Sequence, residues 1–149
     1  MIRTLIDFIA ATVCTFVLAS LFHTQFVLYE LTKLGVLIDT STRLKTSVED
    51  LFGLLPAYGS AILVALLLGF LVVKAIAKLT KVNLNYLYPI AGATALLVAL
   101  MAMQPILNIT LIAGAREPLG LTMQCLAGLF GGWVFMYQRN KAQPPSNHT

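Results

Sequence analysis

The sequence predicts an all-α fold: an integral membrane four-helix bundle with a short amphipathic interfacial helix between its first and second spans. Three observations carry that expectation. Of the 149 residues, 58% are hydrophobic and only 11% charged, whereas a soluble domain carries about 25% charged residues. Four runs without Asp, Glu, Lys or Arg, 8–29, 51–73, 82–115 and 118–138, each reach the roughly 20 residues a helix needs to cross a bilayer. The basic residues fall near the ends of those runs, as they do where charge sets the orientation of membrane helices.

The first run is read as span 8–29, bounded by Asp7 and Glu30. Arg3 followed by apolar residues and then Val17-Leu18-Ala19 before Ser20 is also a weak signal-peptide pattern. Asp7 interrupts that pattern and the apolar residues continue past Ala19, so the first span is expected to be retained.

Residues 31–50 form the only sizeable connection. Asp39-Thr40-Ser41-Thr42 offers several N-caps. Leu44, Val48, Leu51, Phe52 and Leu55 then recur at helical spacing, with Arg43, Lys45, Thr46, Glu49 and Asp50 opposite. This pattern predicts a short helix on the membrane surface, an amphipathic connector that could also serve as a lid, with Pro56 marking the bend into span 56–73.

The third run is too long for one upright span. Its crossing is placed at 88–109, with Pro89 in the first helical turn and Pro105 kinking or ending the far end. The fourth span is 118–138, opened by Glu117-Pro118. Residues 1–141 thus make a single transmembrane domain, and the polar, proline-containing tail 142–149 is expected to be disordered.

Orientation follows from charge. Arg3, Lys74, Lys78, Lys81, Arg139 and Lys141 share one side with Asp7; Lys33, Arg43, Lys45 and Arg116 share the other with Glu30, Asp39, Glu49, Asp50 and Glu117. The bias places both termini in the cytoplasm, and the short loops suggest a plasma membrane, specifically a bacterial inner membrane. Tyr29 and Tyr58 are then expected at the outer interface, and Tyr86, Tyr88, Trp133 and Tyr137 at the inner one.

Small residues predict how the spans pack. Gly53, Ala57, Ala61, Ala65 and Gly69 recur every fourth position; Ala91, Ala95 and Ala99 do the same in the third span; Gly128 and Gly132, with Gly120, Ala127 and Gly131, do so in the fourth. In lipid, where no hydrophobic force pulls helices together, such faces allow close backbone approach.

Polar residues within the spans predict where chemistry would sit. Thr12, Ala19, His23 and Glu30 share one helical face, and an ionisable side chain at membrane depth points to a functional site. His23, Gln25, Glu30, Gln104, Asn108, Arg116, Glu117 and Gln124 all fall in the outer half of the predicted topology. Together they are the candidate lining of an outward-facing polar pocket; scattered interhelical hydrogen bonds and charges reaching water are the plainer alternative.

No catalytic residue is assigned. Ser60 could reach the depth of His23, but the glycine-rich context of a nucleophile is missing. One intramembrane histidine does not make a haem pair, no span carries paired Asp, and Cys14 and Cys125 show no metal spacing. No phosphate loop, zinc signature or dinucleotide fingerprint is present, so no cofactor or metal is expected. The net charge of +4 forms no basic stripe interleaved with aromatics, which excludes nucleic-acid binding. The expected role is a non-catalytic accessory subunit or homo-oligomeric membrane component, with the lipid bilayer and a larger membrane complex or itself as partners. The alternative is a small transporter or a lipid- or small-molecule-binding protein using the pocket around His23.

Overall fold

In the computed structural model, residues 2–80, 84–107 and 118–142 are described. Those residues are helical almost throughout, and four helices are long and apolar enough to cross a membrane. The first, α1, spans Ile2–Lys33. It is followed by α2, Thr40–Leu54, a single π-helical turn at Leu55–Gly59, and α3, Ser60–Leu79. Then come α4, Leu84–Leu107, and α5, Pro118–Ala142.

Several boundaries differ from those read in the sequence, and each has a local cause. Helix α1 starts well before the apolar run, because Arg3, Thr4 and Asp7 do not oppose helix formation. Between α1 and α2, Gly35 takes a φ of 86° and turns the chain. Asp39 caps α2, its side chain accepting from the Ser41 N–H at 3.3 Å. Pro56 does not break the chain away from α3. Its missing N–H is absorbed in the π-turn, so 40–79 continues as one 40-residue helical stretch of about 60 Å. Helix α4 begins at Leu84, which puts Pro89 in its second turn rather than its first.

Helix α5 is the centre of the arrangement, packing against both α1 and α4; α3 leans on α4 and touches α1 little. Glycines set these spacings. A Cβ built on Gly92 or Gly128 would fall on the other residue's carbonyl oxygen, and one on Gly132 would fall on the carbonyl of Tyr88. On the other side of α5, a Cβ on Gly131 would strike the Thr15 hydroxyl. Backbone therefore meets backbone along α4–α5, and Thr15 meets backbone at α1–α5.

One end of the bundle is aromatic. Phe70 stacks on Phe135 at 4.6 Å between centroids and meets Tyr88 and Phe8 edge-on at 5.4 and 6.1 Å. Arg139 donates to the Tyr88 hydroxyl at 2.9 Å. Tyr88 and Tyr58, which the sequence suggested for the membrane interfaces, are both buried, because each hydroxyl finds a partner inside the bundle. Trp133 and Tyr137 stack on one another and remain exposed. Cys14 and Cys125 are free and half-buried.

Many large apolar side chains are exposed among the described residues. On α3 the residues Leu63, Val64, Leu67, Leu68, Leu71 and Val72 all point outward, and only one side of the helix is buried.

Candidate functional site

The polar side chains gather at the other end of the bundle, where α1 turns into α2. Residues 20, 23, 24 and 25 of α1 present a polar patch. Helix α2 answers it with Arg43, Ser47 and Asp50, spaced four and three residues apart and so on one face. The Thr24 hydroxyl lies 2.8 Å from Asp50 Oδ2 and 3.0 Å from the Ser20 carbonyl. A hydroxyl has one proton, and the charged carboxylate is the stronger acceptor. Gln25 uses both ends of its amide: Nε2 donates to Ser47 Oγ and Oε1 accepts from Arg43, each at 3.3 Å. Ser47 in turn donates to the Arg43 carbonyl at 2.8 Å.

Helix α2 thus sets Arg43, Ser47 and Asp50 against α1, with Leu51 and Leu54 packed on the core, while Lys45 and Glu49 pair on the outside. Several of its other apolar side chains look outward, with Leu44 70% and Phe52 71% exposed. In water that orientation would waste an apolar surface.

Deeper in the bundle, Gln124 is fully buried and links three elements. Its Oε1 accepts from the Tyr58 hydroxyl at 2.7 Å, and its Nε2 donates to the Ala19 carbonyl at 3.1 Å. This joins α5 to the π-turn and to α1. A buried amide left unbonded costs about 1–3 kcal/mol, so satisfying both ends makes Gln124 a lock rather than a liability.

His23 and Ser20 stand between these two networks on α1. His23 is 9% exposed and Ser20 1%. Neither His23 Nδ1 nor Ser20 Oγ has a hydrogen-bond partner among the described residues. They do not bond to each other, so Ser20 is not prepared as a nucleophile. Ser60 is turned away as well, donating to the Ala57 carbonyl at 2.9 Å. The charge of Asp50 bears on His23.

The sequence-predicted pocket residues divide as follows. His23, Gln25 and Gln124 lie at this end of the bundle without bonding to one another. Glu30 pairs with Lys33 at 2.8 Å on the surface. Gln104 belongs to the last turns of α4, and its side chain lies outside the described residues, as do Asn108, Arg116 and Glu117 altogether. Sequence reasoning missed Asp50, Ser47, Arg43 and Tyr58 as partners. Asp50 and Arg43 were read as part of the polar face of a surface helix, and Ser47 was not singled out; the signal that could have found the three is their match in spacing to the polar patch of α1.

Among the described residues, no group of three or more His, Cys, Asp or Glu side chains is placed to hold a metal ion. The chemistry available is hydrogen bonding and proton exchange at the His23 imidazole. Comparisons with protein-family models, with curated proteins and with solved structures each give no match.

A different feature lies between α3 and α4. A groove of about 850 Å³ runs along them, floored by small residues that include Ala61, Ala65, Gly69, Ala91, Ala95 and Ala99. It is open on its outer side and almost entirely apolar.

Proposed function

We propose that the chain is a non-catalytic multi-pass membrane protein that works by assembly, as an accessory subunit of a larger membrane complex or as a homo-oligomer. The observation that carries this reading is the open groove between α3 and α4. Helices in lipid associate through van der Waals contact where small residues let backbones approach, and a groove floored by Ala and Gly accepts the ridge of one further helix. The outward apolar faces of α2 and α3 support lipid as the surrounding medium. In that setting α2 turns Leu44 and Phe52 toward lipid and keeps Arg43, Ser47 and Asp50 against α1. The basic bias places the ends of α1 and α5 that carry Arg3, Arg139 and Lys141 in the cytoplasm of a plasma membrane, a bacterial inner membrane by our reading.

Gentle extraction tests it. A stoichiometric partner protein, or a mass that is a multiple of one chain, supports assembly; a chain that emerges alone and remains so across detergents contradicts it.

The second reading is an outward-facing polar pocket around His23, serving transport or the binding of a small ligand. It is favoured by the two unpartnered buried atoms, His23 Nδ1 and Ser20 Oγ. Binding or transport that varies with the protonation of an imidazole supports it. His23→Ala leaving that pH dependence intact would remove it.

A further inference from the structure

A second cavity, about 540 Å³, opens at the aromatic end of the bundle where α1 and α3 part. Leu5 and Phe8 of α1, Leu67 and Phe70 of α3, and Phe135 of α5 make its apolar walls. Ile2 and Leu71 add to them, and Thr4 and Lys74 are the polar members of the lining. Thr4 lies one turn before Phe8, and Lys74 one turn after Phe70, on helices that run in opposite directions. Both polar groups therefore stand at the same end of the cavity, toward the helix termini.

The cavity differs from the groove between α3 and α4 in the way that matters for its occupant. Its walls are Phe, Leu and Ile, which hold a neighbouring backbone away, and its mouth is basic. Lys74 is exposed, Lys78 follows it one turn on and is exposed, and Arg3 stands beside Thr4, also exposed. Of the other charges nearby, Asp7 is buried on the α1 face that continues through Ala11 toward α5, and Arg139 is engaged with Tyr88. The mouth therefore carries net positive charge above an apolar slot. An apolar slot facing lipid does not stay empty, since unfilled space forfeits the contacts of its walls. A lipid tail is what surrounds it.

We propose that this cleft binds one anionic glycerophospholipid, an acyl chain lying along Leu5, Leu67 and Phe70 and the phosphate resting at Lys74. Basic pockets between membrane helices on the cytoplasmic side favour anionic headgroups. The inference rests on the membrane reading above and adds a ligand to it.

The test uses the full-length chain exchanged into equal amounts of phosphatidylglycerol and phosphatidylcholine, with retained lipid counted by native mass spectrometry. Phosphatidylglycerol is expected to be retained several-fold over phosphatidylcholine. Lys74→Gln is expected to lower that preference roughly fivefold, the share of one lysine near an anionic surface. Leu67→Trp, which fills the slot, is expected to reduce retention of both lipids. Inorganic phosphate is expected not to compete, because the acyl chain supplies the hold. Equal retention of the two lipids by the wild-type chain, or an unchanged preference in Lys74→Gln, overturns the lipid site while leaving the membrane reading intact. A chain that stays monodisperse in buffer without detergent overturns both.

Discussion

Helix α4 has two neighbours and meets them in different ways. Toward α5 it presents Gly92, which faces Gly128 with no room for a single carbon, and Gly132 closes on the Tyr88 carbonyl one turn away. Toward α3 it presents Ala91, Ala95 and Ala99, and there the two helices leave an open groove. Gly69 comes close, a Cβ there standing 3.0 Å from the Ala95 Cβ and 3.2 Å from the Ala91 carbonyl. Glycine against glycine makes a finished seam. Alanine against alanine holds the backbones far enough apart to leave space for a third party. The first contact holds the fold together; the second is where we place the protein's partner.

Substitutions at the two contacts should therefore behave differently. The largest effect is expected for Gly128→Ala. The obstacle there is backbone, which cannot swing aside, so the loss should reach about 3 kcal/mol, the upper part of the overpacking range, read as a lower denaturation midpoint in detergent. Ala65→Leu comes next. Ala65 sits on the buried floor of the groove, and a larger side chain there should push α3 from α4 at a cost of about 2 kcal/mol. Gly53→Ala should act in the opposite direction. Nothing lies within 4 Å of its Cβ position, so the chain should gain up to about 1 kcal/mol from helix propensity alone. Gly69→Ala should change stability least, within about 0.5 kcal/mol, because a slight parting of α3 and α4 is offset by the same propensity gain. If Gly69→Ala proved as damaging as Gly128→Ala, the contrast between a closed seam and an open groove would be wrong.

Much of this was legible before the structure. The four apolar runs carried the four long helices, and the Asp39 cap and the amphipathic pattern after it carried α2. The small-residue stripes were visible too, but their partners were not. Gly69, Gly128 and Gly132 lie at close contacts, whereas a Cβ on Gly53 would meet nothing within 4 Å and Ala57 is exposed. Spacing reports which residues share a face, not which helix that face meets. Gly92 was overlooked because Ala91, Ala95 and Ala99 form the regular stripe beside it; the single glycine lies on the side of α4 that meets α5.

The polar residues were harder to read. His23 and Gln124 stood out as polar atoms in apolar runs, but Asp50 lay at a run boundary, where a carboxylate is expected to reach water. That Thr24 would hold it depended on which way α2 rolled about its axis. An amphipathic pattern is silent on that choice, since a helix can turn its apolar face to protein or to lipid. Tyr58 was similarly ambiguous: a tyrosine at the end of a span suits the membrane interface until a buried glutamine offers its hydroxyl a better partner.

The most direct test of the assembly account is the particle mass of the gently extracted chain, wild type beside Ala61→Leu. Ala61 lines the groove but is only half-buried, so leucine there should fill the space without parting α3 from α4. The account predicts a wild-type assembly heavier than one chain, and an Ala61→Leu protein that keeps its helical content and denaturation midpoint but falls to the mass of one chain. A wild-type mass of one chain, or an assembly that Ala61→Leu leaves intact, would contradict it.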